Sequence, residues 1–351
     1  TAPECNAVWF RIGEPTPVDD WPDDPQWRAR CDPQSRWLST NHLVGAGYWV
    51  WLIPLASGSH SVGIVADPRL HPLDRMDSFE RAMDWLETWQ PRLYDALADK
   101  RHLLQDFAFL RNFSYGCKQV FSGRRWALTG EAGLFLDPFY SPGSDFIAVG
   151  NTYICDLVAH DRAGHALEAR AQLYDQIYHS FYESTLALYT DQYPLFGDPE
   201  VLPAKVIWDY TYYWGVLAQI FFQQRLTDLP VLGRVRDELQ HCQQLNLAVQ
   251  AFFRAWSAVS HRRNPAVMLD HAALPWFAEL NRSLNDRLDD DAFVRRMRQS
   301  VDRLTALAAE LLGRATRDHP GLDGAALAAL LARAPAAAEG TQTGTLLFAP
   351  A

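Results

Sequence analysis

The chain is poor in the patterns that mark a metalloprotein, a hydrolase or a nucleic-acid binder. Its 11 histidines contain no H-x-x-x-H or H-E-x-x-H pair. The 5 cysteines (Cys5, Cys31, Cys117, Cys155 and Cys242) form no C-x-x-C. His241 and Cys242 are adjacent on a helical stretch and face different ways, so no metal site is expected. An odd, scattered set of thiols favours reduced cysteines over disulfides. A G-x-S-x-G elbow is also missing, which discounts a nucleophilic serine. Positive charge is scarce: 32 Lys and Arg against 42 Asp and Glu leave a net charge of -10. That balance argues against nucleic acid and against a polybasic membrane patch. The longest apolar stretch, Tyr210 to Phe222, is interrupted by Gln219 and is too short to span a bilayer. The chain opens at Thr1 without a basic or apolar leader pattern, so no signal peptide is expected and a cytoplasmic location is the expectation.

Aromatic residues are abundant instead. They make up 13% of 351 residues, with 13 Trp, and suit large-residue packing or a flat apolar ligand. Residues 7 to 12 read as a strand. Residues 13 to 36, rich in Pro, Asp and Trp, read as a loop. Gly47-Tyr48-Trp49-Val50-Trp51-Leu52-Ile53-Pro54-Leu55 reads as a strand buried on both faces. Ser57-Gly58-Ser59 turns it, and Ser61 to Val65 returns as its hairpin partner. Asp77 to Leu97 has helical spacing, with Asp77 and Glu80 as a capping box. Residues 103 to 120 suit further strands.

The chain is organised around Trp126 to Asp145. A short apolar run ends at Gly130, and Glu131 follows. A loop then holds Asp137-Pro138 and Ser141-Pro142-Gly143-Ser144. Phe146, Val149, Tyr153 and Leu157 continue at helical spacing. A buried strand, a loop and a helix start are expected in that order. Ser141 or Ser144 would cap the helix, and Asp145 would complement its positive end. Bare N–H groups at such an end suit an anionic or carbonyl-rich ligand. From about 150 to 335 the patterns are helical, with stretches at 166–190, 206–222, 244–259, 275–287 and 291–313.

The Gly130–Asp145 stretch resembles the second FAD-binding motif of flavin-dependent halogenases and monooxygenases (the p-hydroxybenzoate-hydroxylase-like flavoproteins), with Glu131 where Asp is usual. Trp49-x-Trp51-x-Ile53-Pro54 resembles the W-x-W-x-I-P signature of the halogenases. The resemblance implies an α/β FAD-binding fold with an antiparallel substrate sheet and a helical C-terminal domain. The expected divisions are a sheet with a flanking helix at 1–125, the flavin motif at 126–165, helices at 166–338 and a tail at 339–351. The N-terminal G-x-G-x-x-G unit of such flavoproteins is absent from these residues. It is expected, with the halogenase lysine, in a preceding segment.

The resemblance further implies cofactor contacts at Gly130, Glu131, Asp137, Pro138, Ser141, Pro142, Gly143 and Ser144. It places substrate contacts at Trp49, Trp51, Pro54, Phe139 and Tyr140. The implied reaction is halide oxidation by a flavin hydroperoxide, halogenating a phenol- or pyrrole-like aromatic, free or carrier-bound. FAD would be reduced by a flavin reductase or NAD(P)H, and chloride or bromide consumed. Tryptophan halogenases carry a glutamate at the position of Tyr140, whereas an aromatic suits the phenol- and pyrrole-acting branch. Pro142 removes an N–H from the halide side. In some phenol-acting relatives the aspartate matching Asp137 is joined covalently to flavin. Oxygenation, polyene or isoprenoid reduction, and a non-catalytic binding module are the alternative readings.

Overall fold

The computed structural model describes residues 4–21, 24–29, 35–262, 271 and 274–333. The expected tail at 339–351 and Cys31 lie outside them. The chain forms two compact units. One comprises Thr1–Tyr115 with Tyr193–Gly197, and the other Gly116–Gln192 with Asp198–Ala351.

In the first unit, β1 (Asn6–Ile12), β2 (Asn41–Gly45), β3 (Tyr48–Pro54), β4 (His60–Ala66) and β5 (Leu104–Leu110) build one antiparallel sheet. Its order is β2-β3-β4-β1-β5. The short helix α1 (Pro25–Ala29) lies in the loop that precedes β2. Alternation decides the packing: Val8, Phe10 and Ile12 of β1 join Val50, Leu52, Val62 and Ile64 in one buried cluster. The amphipathic helices α2 (Phe79–Trp89) and α3 (Pro91–Ala98) cover that face with Phe79, Ala82, Met83, Leu86, Leu93 and Leu97. The expected single helix is therefore two. Pro91 occupies the first turn of α3, and the chain ends α2 at Gln90. Ser78, not Asp77, caps α2 by accepting from the Arg81 N–H, while Asp77 pairs with the Arg81 guanidinium.

The β2–β3 turn is closed by a distant segment of the same unit. Gly47, with φ +87°, donates its N–H to the Tyr193 carbonyl at 2.9 Å. The Trp49 indole donates to the Tyr193 hydroxyl at 3.0 Å. Trp51 lies flat over Gly63, where a side-chain carbon would collide with its ring.

The second unit begins with the two-stranded ladder β6 (Phe121–Ser122) and β7 (Trp126–Ala127). The buried strand expected from Trp126 is thus only two residues long, and Trp126 is 43% exposed. Helices α4 (Gly143–Arg162) and α5 (Glu168–Leu186) pack through tyrosines. Tyr153 stacks on Tyr174 with centroids 4.3 Å apart, and the Tyr178 hydroxyl donates to the Phe146 carbonyl at 3.1 Å. A rod follows: α6 (Val201–Tyr212), one π-helical turn (Tyr213–Leu217) and α7 (Ala218–Phe222). The remaining helices are α8 (Leu229–Arg234), α9 (Arg236–Val259), α10 (Pro275–Arg282), α11 (Asp290–Asp318) and α12 (Ala325–Leu331). Among the described residues, no helix is long and apolar enough to cross a membrane.

Candidate active site

The loop between β7 and α4 is fixed by backbone requirements. Gly130 adopts φ +52°, and a Cβ there would sit 2.5 Å from Ile147 Cγ1, so this turn favours glycine. Asp137 is buried, and its carboxylate accepts from the Phe139 N–H at 2.9 Å, which caps the short turn Pro138–Tyr140. Ser141 then enters the left-handed region at φ 56° and Pro142 is the N-cap of α4. The expected serine cap is not formed. Ser141 precedes the cap with a left-handed backbone, and Ser144 already lies within the helix. Helix geometry consequently leaves the N–H groups of Gly143, Ser144 and Asp145 without intrahelical acceptors.

This loop forms one wall of a cavity of about 180 Å³ within the second unit. The wall is Tyr140, Ser141, Pro142 and Asp145. Helix α5 and the turn after it add Phe181, Thr185, Leu188 and Tyr189. The rod supplies Asp209, Tyr210, Tyr212, Tyr213 and Leu217. The π turn adds one residue to the helical register, and both Tyr213 and Leu217 of that turn reach the cavity. The lining is thus rich in aromatic rings and holds two carboxylates, with no cation among the described residues that line it.

Each carboxylate is bonded to a tyrosine. The Tyr213 hydroxyl donates to Asp145 Oδ1 at 2.8 Å, and the Tyr140 hydroxyl donates to Asp209 Oδ2 at 2.8 Å. Behind the cavity, Lys205 Nζ donates to Asp209 Oδ2 at 2.7 Å and to Gln250 Oε1 at 2.8 Å. Gln250 Nε2 donates to Asp209 Oδ1 at 2.7 Å and to Asn246 Oδ1 at 3.2 Å. Asn246 also accepts from the Trp208 indole at 3.0 Å. Burial pushes the Asp209 carboxyl up and the Lys205 ammonium down, and the attraction between them opposes both shifts. Burial and the neighbouring Asp209 carboxylate hold the Tyr140 phenol well above its ordinary value. Asp145 is also raised by burial, against the pull of the Tyr213 hydroxyl.

No protein-family profile matches the chain. It is 26% identical over 182 residues to the flavin-dependent halogenase chlA of Dictyostelium discoideum, covering 51% of this chain and 30% of that protein. A 95-residue stretch is 32% identical to the 1H-pyrrole-2-carbonyl-[peptidyl-carrier protein] chlorinase of Pseudomonas fluorescens, covering 27% and 20%. The crystal structure of halogenase PltM aligns with a TM-score of 0.53 at 15% identity, over 87% of this chain and 59% of that one. The chain resembles the flavin-dependent halogenases. Over the aligned residues its fold matches that of the halogenase structure, and it spans only part of the length of these relatives.

Of the residues that the halogenase resemblance singled out, the structure brings Tyr140, Ser141 and Pro142 to the cavity. Glu131 and Gly143, from opposite ends of the motif, also meet: a Cβ added to Gly143 would lie 3.9 Å from Glu131 Oε1. Gly130, Asp137 and Pro138 shape the loop. Phe139 is buried against Tyr140, with ring centroids 4.7 Å apart. Asp137 is only 1% exposed, and its carboxylate holds the Phe139 N–H. Trp49, Trp51 and Pro54 belong to the first unit. Lys205, Asp209 and Gln250 escaped the sequence reading. The available signal was a lysine and an aspartate four residues apart in an otherwise apolar helix.

Proposed function

We propose that this chain belongs to an FAD-dependent oxidoreductase of the halogenase type, acting on an aromatic held in the Tyr140–Tyr213 cavity. The observation that carries the reading is continuity. The loop that resembles a flavin-binding motif, and the helix it starts, form one wall of an aromatic cavity large enough for a single ring.

The residues fit the cofactor. Gly143 leaves its Cβ position open, with no atom closer than 3.9 Å, so a ligand can approach the backbone. The uncapped N–H groups of Gly143 and Ser144 suit negative charge on a flavin edge. Gly130, Glu131, Asp137, Pro138, Ser141 and Pro142 complete this side by shaping or bordering the loop. When bound, FAD supplies the oxidising chemistry for halide. The chain's own part is to hold the aromatic flat between tyrosine rings, exclude water and accept its polar hydrogen. Trp49, Trp51 and Pro54 are assigned to the substrate side on their motif alone.

A phenol- or pyrrole-like substrate, free or carrier-bound, and supply of reduced FAD by a separate reductase or NAD(P)H complete the proposal. The similarity to a carrier-protein chlorinase supports the carrier-bound form. The test is an absorbance spectrum of purified protein with added FAD, before and after acid precipitation. Turnover with bromide, analysed by mass spectrometry, follows. Flavin absorbance that leaves with the supernatant and a brominated aromatic are expected. Absence of any flavin uptake refutes the reading, and an oxygenated product without bromine would move it to a monooxygenase.

A further inference from the structure

The hydrogen bonds behind the cavity have a fixed direction. Asp209 accepts from Lys205, Gln250 and Tyr140, so an ionised Asp209 leaves Tyr140 no choice but to donate. The Tyr140 oxygen then has only lone pairs to offer at the cavity wall. A ligand ring that hydrogen-bonds to it must present a donor. We propose that Tyr140 is a catalytic residue that accepts the O–H or N–H of the aromatic substrate, and that Asp209, which borders the same cavity and is bonded to the Tyr140 hydroxyl, is the positioning residue that receives the proton. The proposal rests on the reading of this cavity as the aromatic substrate site.

The step balances without an oxidant. The substrate O–H bond breaks as its proton passes to the Tyr140 oxygen. The Tyr140 proton passes in turn to Asp209 Oδ2. The substrate becomes a phenolate, and Asp209 becomes a neutral carboxylic acid. Tyr140 ends as it began, with a new O–H bond in place of the old. The Lys205 ammonium, at 2.7 Å from Asp209, is then no longer balanced by a carboxylate, which favours the new anion. Electron density on the ring rises, which is what attack on an electrophile requires. Two features of the wall support this assignment. Asp209 is 2% exposed, so burial makes it a better proton acceptor than a surface carboxylate. Tyr140 resists ionising on its own, so it relays a proton without becoming a resting anion. The ionisable groups facing Asp209 are Lys205, Tyr140, Tyr189 and Tyr210, and Arg254 lies within range of Lys205. Among these, Tyr140 both lines the cavity and touches the carboxylate.

The test uses para-nitrophenol, whose ionised form has its own visible band, and para-nitroanisole, which has the same ring but no donor. Titration needs neither FAD nor halide. The native chain should bind para-nitrophenol about tenfold more tightly than para-nitroanisole. It should also display the phenolate band below the pH at which the free phenol ionises. Tyr140→Phe keeps Asp209 bonded to Lys205 and Gln250, so the fold should survive. This variant should lose both the preference and the band while binding para-nitroanisole as before. Asp209→Asn together with Lys205→Met removes both buried charges, and should keep para-nitrophenol binding but lose the band. Equal affinity for the two probes in the native chain, or a band that persists in Tyr140→Phe, overturns the proposal. A chain that takes up no FAD yet shows the native probe behaviour sinks the flavin reading and upholds the Tyr140–Asp209 relay.

Discussion

Replacing Lys205 by methionine is the sharpest probe of what holds the second unit together. The Lys205 and Asp209 side chains are 0% and 2% exposed and 2.7 Å apart, so neither charge can turn to water. Methionine fills nearly the same volume and removes only the charge and its two hydrogen bonds. Asp209 would keep Tyr140 and Gln250 as donors, both neutral, and Gln250 Oε1 would lose its partner. Breaking a buried pair by deleting one member costs about 3–5 kcal/mol. Lys205→Met should lower the unfolding free energy by that amount at neutral pH, measured by urea titration of tryptophan fluorescence. Adding Asp209→Asn removes the stranded charge and should recover part of the loss. The residual cost is about 1–3 kcal/mol for the disturbed Gln250 amide. A loss below about 1 kcal/mol in the single variant, or no recovery in the double, would refute the reasoning.

The same variant has a signed pH dependence. Without Lys205 the two effects that hold Asp209 down most strongly are gone, while burial still raises it. The folded-state pKa then lies above the unfolded one, and the folded chain binds that proton more tightly. Stability falls as pH rises between the two values. The charge-dependent part of the penalty is therefore full above the folded pKa and absent below the unfolded value, while the cost at the Gln250 amide persists at every pH. Urea midpoints of Lys205→Met should approach the native ones on acidification, apart from losses common to both proteins.

Gly130→Ala places a Cβ 2.5 Å from Ile147 Cγ1 in a left-handed turn, and should cost about 1–3 kcal/mol in thermal or urea unfolding. A shift within error would show that this turn relaxes freely. Trp49→Phe removes a hydrogen bond to the buried Tyr193 hydroxyl and should destabilise the first unit by about 1–3 kcal/mol; Trp49→Phe with Tyr193→Phe should be milder than the sum. Tyr213→Phe removes a hydrogen bond that lowers the Asp145 pKa, so that carboxyl should titrate higher by carbon NMR. An unchanged or lower value would contradict the geometry.

The sheet was legible because its causes are local. Trp49 to Ile53 has the β-branched and aromatic run of a buried strand, and Ser57-Gly58-Ser59 admits a turn there. The error at α2 was one of detail with a clear cause. Asp77 and Ser78 are both good caps, and only the backbone decides which of them lies one residue before the helix. The buried strand expected at Trp126 failed for a different reason. Apolar runs of a few residues do not distinguish a strand from a packed loop, and here Gly130 turns the chain after two ladder residues.

The site wall was half legible. Tyr140 stood out through its place in a motif, yet its chemistry depends on Asp209, 69 residues further along the chain, and Asp209 in turn depends on Gln250. Read alone, Lys205 and Asp209 are an ordinary i, i+4 pair, of the kind that belongs on a wet helix face. Their setting contradicts that reading, because Val201, Leu202, Ala204, Ile207, Trp208 and Tyr212 leave α6 no wet face. A charged pair in a helix that is apolar all round must be buried, and a buried pair must be completed by further donors and acceptors. That inference locates a polar network from composition alone, although the side of it that meets the cavity is set by the π turn and by the fold of the 137–143 loop.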